Sequence, residues 1–208
     1  MKFRRKSAPA PDVADEGPAA PTAPTGPTGP GPHDAGELND GVERVDLGSL
    51  LIAPSPGREL RLQVNETTNE VASVLLVAEE GALELQPFSA ASSGGLWEQV
   101  RPQIAADVAR RGGTTSEREG RFGTEVLCRV PAPMPDGSAG VQVSRIIGVD
   151  GRRWMLRATL LGRPAQDPES AAEWEDAIAQ VAVRRGDQAM PVGRPLPFVL
   201  PPEARRSR

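Results

Sequence analysis

Residues 141–161 restrict the possible folds most. Two stretches of alternating apolar character, Val141–Val149 and Arg152–Leu161, meet at Asp150-Gly151. Alternation with a period of two marks strands with one buried face, and Asp-Gly between such strands marks a hairpin. A two-residue type I′ turn there sets Ile147 opposite Trp154 and Arg145 opposite Leu156 on one face. Gly148, Arg153, Ser144 and Arg157 then fall on the other face. A chain with this hairpin at its centre is committed to an antiparallel sheet.

The rest of the middle region agrees. An apolar run covers Val45–Ile52 and ends at Pro54-Ser55-Pro56-Gly57. Leu60, Leu62 and Val64 alternate with charged and polar residues, Val71–Ala78 is a continuous apolar run, and Leu83, Leu85 and Phe88 follow a Glu-Glu-Gly turn. These read as three strands of a meander joined by short turns. Trp97, Val100, Ile104 and Val108 share one face of a helix closed by Gly112-Gly113, with Pro102 expected to kink it or delay its start. Strands return over 114–119 and 122–130. A second helix opens at Asp167-Pro168, where Asp is suited to cap and Pro to the first turn. Ala171, Trp174, Ile178 and Val181 lie on its inner face, and Arg184-Arg185-Gly186 closes it. The predicted class is therefore α+β: an antiparallel sheet of about seven strands and two main helices, in the order three strands, helix, four strands, helix.

The ends differ from this middle. Residues 1–40 hold eight of the 22 prolines and include the run Pro-Thr-Ala-Pro-Thr-Gly-Pro-Thr-Gly-Pro-Gly. Such a composition buries too little surface to offset chain entropy, so residues 1–41 are expected to be a disordered tail. The domain proper is expected over 42–190. Residues 191–208 then form an extended Pro-rich segment with a basic end, in which Leu196, Phe198 and Leu200 alternate and are able to dock on the body. Basic residues at the start lack the apolar stretch of a signal peptide, and no run is long enough to span a membrane. With one unpaired cysteine, Cys128, the expected location is the cytoplasm.

Composition narrows the chemistry. The net charge is -4 overall, and residues 41–200 are themselves mildly acidic, which argues against nucleic-acid binding by the folded part. The strands offer few aromatics on which bases would stack. The only histidine, His33, falls in the expected tail, which removes Ser-His-Asp and Cys-His catalysis from the domain. Cys128 lies in an apolar strand and reads as a small buried hydrophobe. No phosphate-binding glycine motif or metal-ligand spacing is present, so no cofactor and no metal are expected. The carboxylates Glu79, Glu80, Glu84, Glu169, Glu173 and Asp176 read as solvated faces. The densest polar cluster is the hairpin, where Arg145, Asp150, Arg153, Trp154 and Arg157 are the candidate ligand-binding residues. Arginines there would clamp a carboxylate or phosphate, although the alternation sets Arg145 opposite to Arg153 and Arg157.

The segment Gly148-Val149-Asp150-Gly151-Arg152-Arg153-Trp154-Met155-Leu156-Arg157 resembles a hallmark of an actinobacterial family of unknown function commonly encoded near dUTPase. Glu119-Gly120-Arg121-Phe122-Gly123 and Gly95-Leu96-Trp97 fit the same family. The resemblance covers roughly Val42 to Pro202, departs from the family pattern at Arg152, where that pattern has Pro, and implies no established activity, cofactor or catalytic residue. The element order is also similar to the Mog1/PsbP-like sandwich, used mainly by binding and accessory proteins. Together these readings favour a binding or accessory module with a protein partner over an enzyme. The alternatives are an enzyme built on Arg and carboxylates and linked to nucleotide metabolism, or a peripheral membrane adaptor acting through the basic ends, Lys2–Lys6 and Arg205–Arg208.

Overall fold

A computed structural model describes residues 31–133 and 137–199. The expected tail up to residue 30, the basic ends, Leu200 and residues 134–136 lie outside the described residues.

The chain is α+β, with two sheets. The larger is an antiparallel sheet of seven strands: β4 (Glu59–Asn65), β5 (Glu70–Ala78), β6 (Gly81–Ser89), β7 (Thr114–Gly120), β8 (Gly123–Pro133), β9 (Ala139–Asp150) and β10 (Trp154–Gly162). Across the sheet their order is β4-β5-β6-β10-β9-β8-β7. The helices are α1 (Leu96–Arg110), between β6 and β7, and α2 (Pro168–Ala179), after β10. The expected order of three strands, helix, four strands, helix is thus the order of the large sheet. β6 receives β10 beside it and closes the two hairpin sets into one layer.

A second sheet was not anticipated. It joins β1 (His33–Asp34), β2 (Val45–Asp46), β3 (Leu50–Ile52) and β11 (Ala182–Val183) in the order β1-β11-β3-β2. Together with α2 it covers one face of the large sheet. Leu47, Leu50, Ile52, Trp174, Ile178 and Val183 pack there against Leu83, Leu85, Ile147, Trp154, Leu156 and Leu160. On the opposite face α1 packs Leu96, Trp97 and Val108 against Val126, Cys128 and Met155. Residues 194–199 tie the two sheets together: Leu196 donates its N–H to the Pro87 carbonyl at 2.9 Å, and Val199 donates to Leu47 at 2.9 Å. Leu196 is buried and Phe198 partly so, as the alternation of that segment implies.

Several expectations are corrected. Residues 31–41 belong to the folded body and not to a tail, because β1 pairs in parallel with β11 (His33 with Ala182, Asp34 with Val183). α2 ends at Ala179, and Ala182–Val183 leaves the helix to become a strand. α1 starts at Leu96 and runs through Pro102, which is exposed, so the missing N–H falls on the solvent side. The cap of α2 is as read: Asp167 accepts from the Glu169 N–H at 3.1 Å, with Pro168 in the first turn.

Arg44 fastens the segment after β1. It donates to both Asp40 oxygens, at 2.9 and 2.6 Å, and to the Gln180 carbonyl at 3.1 Å, just past α2. The hydrogen bonds from Arg44 hold the Asp40 carboxyl well below the usual carboxylate range. A folded-state pKa below the unfolded value means stabilisation that is present above about pH 4 and lost as acid is added. Asp40→Asn is therefore expected to lower the melting temperature at pH 7 and to lower it by clearly less at pH 2, where the unfolded carboxyl is already protonated and part of the stabilisation is gone, as scanning calorimetry at the two pH values would read.

Candidate functional site

The turn between β9 and β10 differs from a two-residue type I′ hairpin. Asp150 pairs with Met155 and Arg157 with Gly148, so residues 151–153 form the connection and the register moves by two residues on each strand. The positive φ falls on Arg153, at 65°, and not on Asp150 or Gly151. Two contacts explain the change. A Cβ on Gly151 would lie 2.1 Å from Cζ2 of Trp154, so the glycine is there to let the indole lie against the turn. Asp150, freed from turn duty, accepts N–H bonds from Gly95 at 3.1 Å and from Trp97 at 3.3 Å. It caps α1 from another element, where Gly95 itself provides no side-chain cap.

Because the register shift is even, the faces stay as the alternation set them. Arg145 is buried on the α2 face, facing Leu160 across the hairpin. It lies between Glu125, at 3.5 Å, and Glu175 of α2, and Glu125 accepts in turn from Arg118 at 2.5 Å. Trp154 is buried on the same face and donates its Nε1–H to Asp34 at 3.2 Å. Arg153 is exposed in the turn, with its carbonyl accepting from Ala90 and from Arg185 Nε. Of the three arginines, only Arg157 points to the face that α1 covers. The five hairpin candidates therefore do not converge: Asp150 is a helix cap, Arg145 and Trp154 are parts of the core, and Arg153 sits at the surface.

Arg157 instead joins residues that the hairpin motif does not contain. A cleft of about 670 Å³ opens between the C-terminal half of α1 and the face of the sheet. That is within the range of small-ligand sites. Its wall is α1, with Ile104, Asp107, Val108 and Arg111. Its floor includes Arg157 and Thr159 of β10, Glu84 of β6, Ser144 of β9 and Cys128 of β8. The Arg157 guanidinium lies 5.2 Å from the centre of the Phe88 ring and donates to Gln86 Oε1 at 2.5 Å. Burial pulls its pKa below the ordinary arginine value, and the charge of Glu84 acts in the opposite direction. No carboxylate of the described residues lies within ion-pair distance of it. Cys128 is buried in the same floor, and burial pushes its thiol up, so the sulfur there is a protonated thiol.

The sequence offered one signal for this cleft. Alternation in β9 and β10 puts Ser144, Arg157 and Thr159 on the face away from Leu156 and Leu160. Glu84 and the α1 wall come from elements distant in the chain; helical spacing marks Ile104 and Val108 of that wall as an inner face, but nothing local assigns them, Asp107, Arg111 or Glu84 to a cleft with Arg157. His33, expected in a tail, lies in β1 on the other side of the large sheet, and burial, then Arg44, lowers its pKa. Among the described residues no group of three His, Cys, Asp or Glu is placed to hold a metal ion. No helix among them is long and apolar enough to cross a membrane.

Comparisons with known proteins give a family but no activity. No curated protein matches the chain. A 1.50 Å crystal structure of a protein from Bacteroides thetaiotaomicron VPI-5482 is similar at 13% identity and a TM-score of 0.39, over 68% of this chain and 47% of that one. The chain thus spans about half the length of that structure. The family model described as protein of unknown function (DUF3710) matches residues 31–207, which starts at β1 and includes both sheets. The chain belongs to that family of proteins of unknown function.

Proposed function

We propose that the protein is a binding module that receives a carboxylate or phosphate group, of a small ligand or of a protein partner, in the cleft between α1 and the sheet, with Arg157 as the anchor. The observation that carries the reading is the state of Arg157: largely withdrawn from water, braced by Phe88 and Gln86, and without a carboxylate counter-ion. A desolvated guanidinium gains from an incoming anion, and its planar fork accepts a two-oxygen ligand in a fixed orientation. Arg111 at the cleft mouth adds positive charge, partly offset by Asp107 at 3.9 Å. The proposal keeps the module in the cytoplasm, where Cys128 on the cleft floor stays reduced.

The test is calorimetric titration of the full chain with inorganic phosphate, citrate and a panel of nucleoside monophosphates. Saturable binding of at least one probe is expected, with Arg157→Gln weakening it by about 10- to 100-fold, the value of a hydrogen bond to a charged group. Absence of binding by every probe, or binding that Arg157→Gln leaves intact, defeats the reading. Thermal melts of the variant check that the fold persists.

One observation favours the enzyme alternative. Glu84 lines the same cleft as Arg157 and acts on it electrostatically without a direct ion pair, so a carboxylate and a guanidinium border one space there. Turnover of a nucleotide in the same panel, abolished by Glu84→Gln, would replace the binding reading with that one.

A further inference from the structure

We propose that two copies of this chain associate through the outer edge of β4, each β4 pairing antiparallel with the other about a two-fold axis at Leu60. β4 is the last strand of the large sheet and hydrogen-bonds only to β5 among the described residues, so its outer N–H and C=O groups are unpaired there. Such an edge is a template for another strand. A two-fold axis at Leu60 sets Glu59 of one copy opposite Arg61 of the other, twice. Opposite charges directly across a ladder stabilise it, and like charges destabilise it. Both side chains are well exposed, at 64% and 58%, and among the described residues they pair with each other, at 2.7 Å. On the other face of β4, Leu60 and Leu62 are only partly buried. An apolar slot of about 280 Å³ lies beside them, lined by Val45, Ile52, Pro54, Pro56, Leu60 and Leu76. Leu60 of the second copy would lie over that slot. The opposite end of the sheet behaves differently. β7 carries Glu117-Arg118-Glu119, and pairing about Arg118 would set Arg against Arg and Glu against Glu. Only one of the two edges is thus self-complementary in charge, and it is the one beside an unfilled apolar slot. An isologous contact of this kind closes on itself as a dimer.

Sedimentation velocity of the full chain from micromolar to submillimolar concentration tests the proposal. A monomer–dimer equilibrium is expected, with R61E lowering the association constant at least tenfold and the swapped pair E59R/R61E restoring it. Both positions are exposed, so thermal melts of the variants are expected to match the parent chain. A chain that stays monomeric throughout, a dimer indifferent to R61E, or one that the swap does not restore overturns the proposal. None of these outcomes bears on Arg157, which lies on β10.

Discussion

Arg145→Met is expected to lower the unfolding free energy by about 3 kcal/mol, at the low end of the cost of breaking a buried ion pair. Arg145 and Glu125 are both 3% exposed in their side chains, and Glu175 of α2 is 18% exposed. The guanidinium is the one positive group between two carboxylates, so its removal leaves Glu125 buried with Arg118 as its remaining partner and Glu175 with none of the partners shown. Methionine fills much of the arginine stem volume, which separates the electrostatic loss from a cavity. The retained Arg118–Glu125 contact, at 2.5 Å, is why the lower end of the range applies. Urea denaturation monitored by tryptophan fluorescence reads the change. The second arm is Glu125→Gln with Arg145→Met. Removing the stranded charge is expected to recover part of the loss, giving a coupling of about 1–3 kcal/mol in the double-mutant cycle. Additive losses would show that Arg145 acts by packing alone. The result also decides what kind of residue Arg145 is. An arginine whose charge is consumed between two internal carboxylates is a fastener between α2 and the sheet, and has none to spare for a ligand.

The same residue shows what the sequence carries and what it does not. Alternation around Asp150-Gly151 separated Arg145 from Arg157 correctly, because a face depends only on parity, and the two-residue slip preserved parity. The turn itself was misread because the residues that make Asp-Gly favourable in a tight turn have other employment: Asp150 caps α1 and Gly151 makes room for Trp154. Neither demand is visible locally. The class and seven long strands were legible from periodicity, and the α2 cap from three consecutive residues. The small sheet was not, since strands of two or three residues are too short to show a period, and β1 lies beside a Pro/Gly-rich stretch whose composition argues for a tail. The cleft was legible only from its β9–β10 floor. Its wall joins Ile104 and Val108, which the helix periodicity did mark, to Asp107 and Arg111 beside them, which it did not.

Trp154→Ala is expected to cost about 3–5 kcal/mol, the range for emptying a buried aromatic site. Trp154 is 1% exposed, lies in the cluster shared by the large sheet, α2 and the small sheet, and rests on Gly151. The indole does two things, and Trp154→Phe separates them. Phenylalanine keeps most of the packing but lacks the Nε1–H that reaches Asp34 at 3.2 Å. Asp34 lies in β1, which is held to β11 by only two residue pairs, so this bond is a large share of what fixes the start of the folded body. Trp154→Phe is therefore expected to lower global stability by about 1–2 kcal/mol, mostly from the smaller ring and one charge-assisted hydrogen bond. Its larger effect is expected to be local. Hydrogen exchange at His33 and Ala35, whose N–H groups donate to Val181 and Val183 at 2.9 Å, should accelerate well beyond the change in global stability. Exchange at β9 and β10 should follow the global value. If His33 and Ala35 exchange in step with the sheet, β1 is an integral part of the cooperative core and the Trp154–Asp34 bond is incidental to it. If they exchange freely in the unaltered protein, the pairing of β1 with β11 does not persist in solution, and the boundary of the domain returns to the neighbourhood of residue 42.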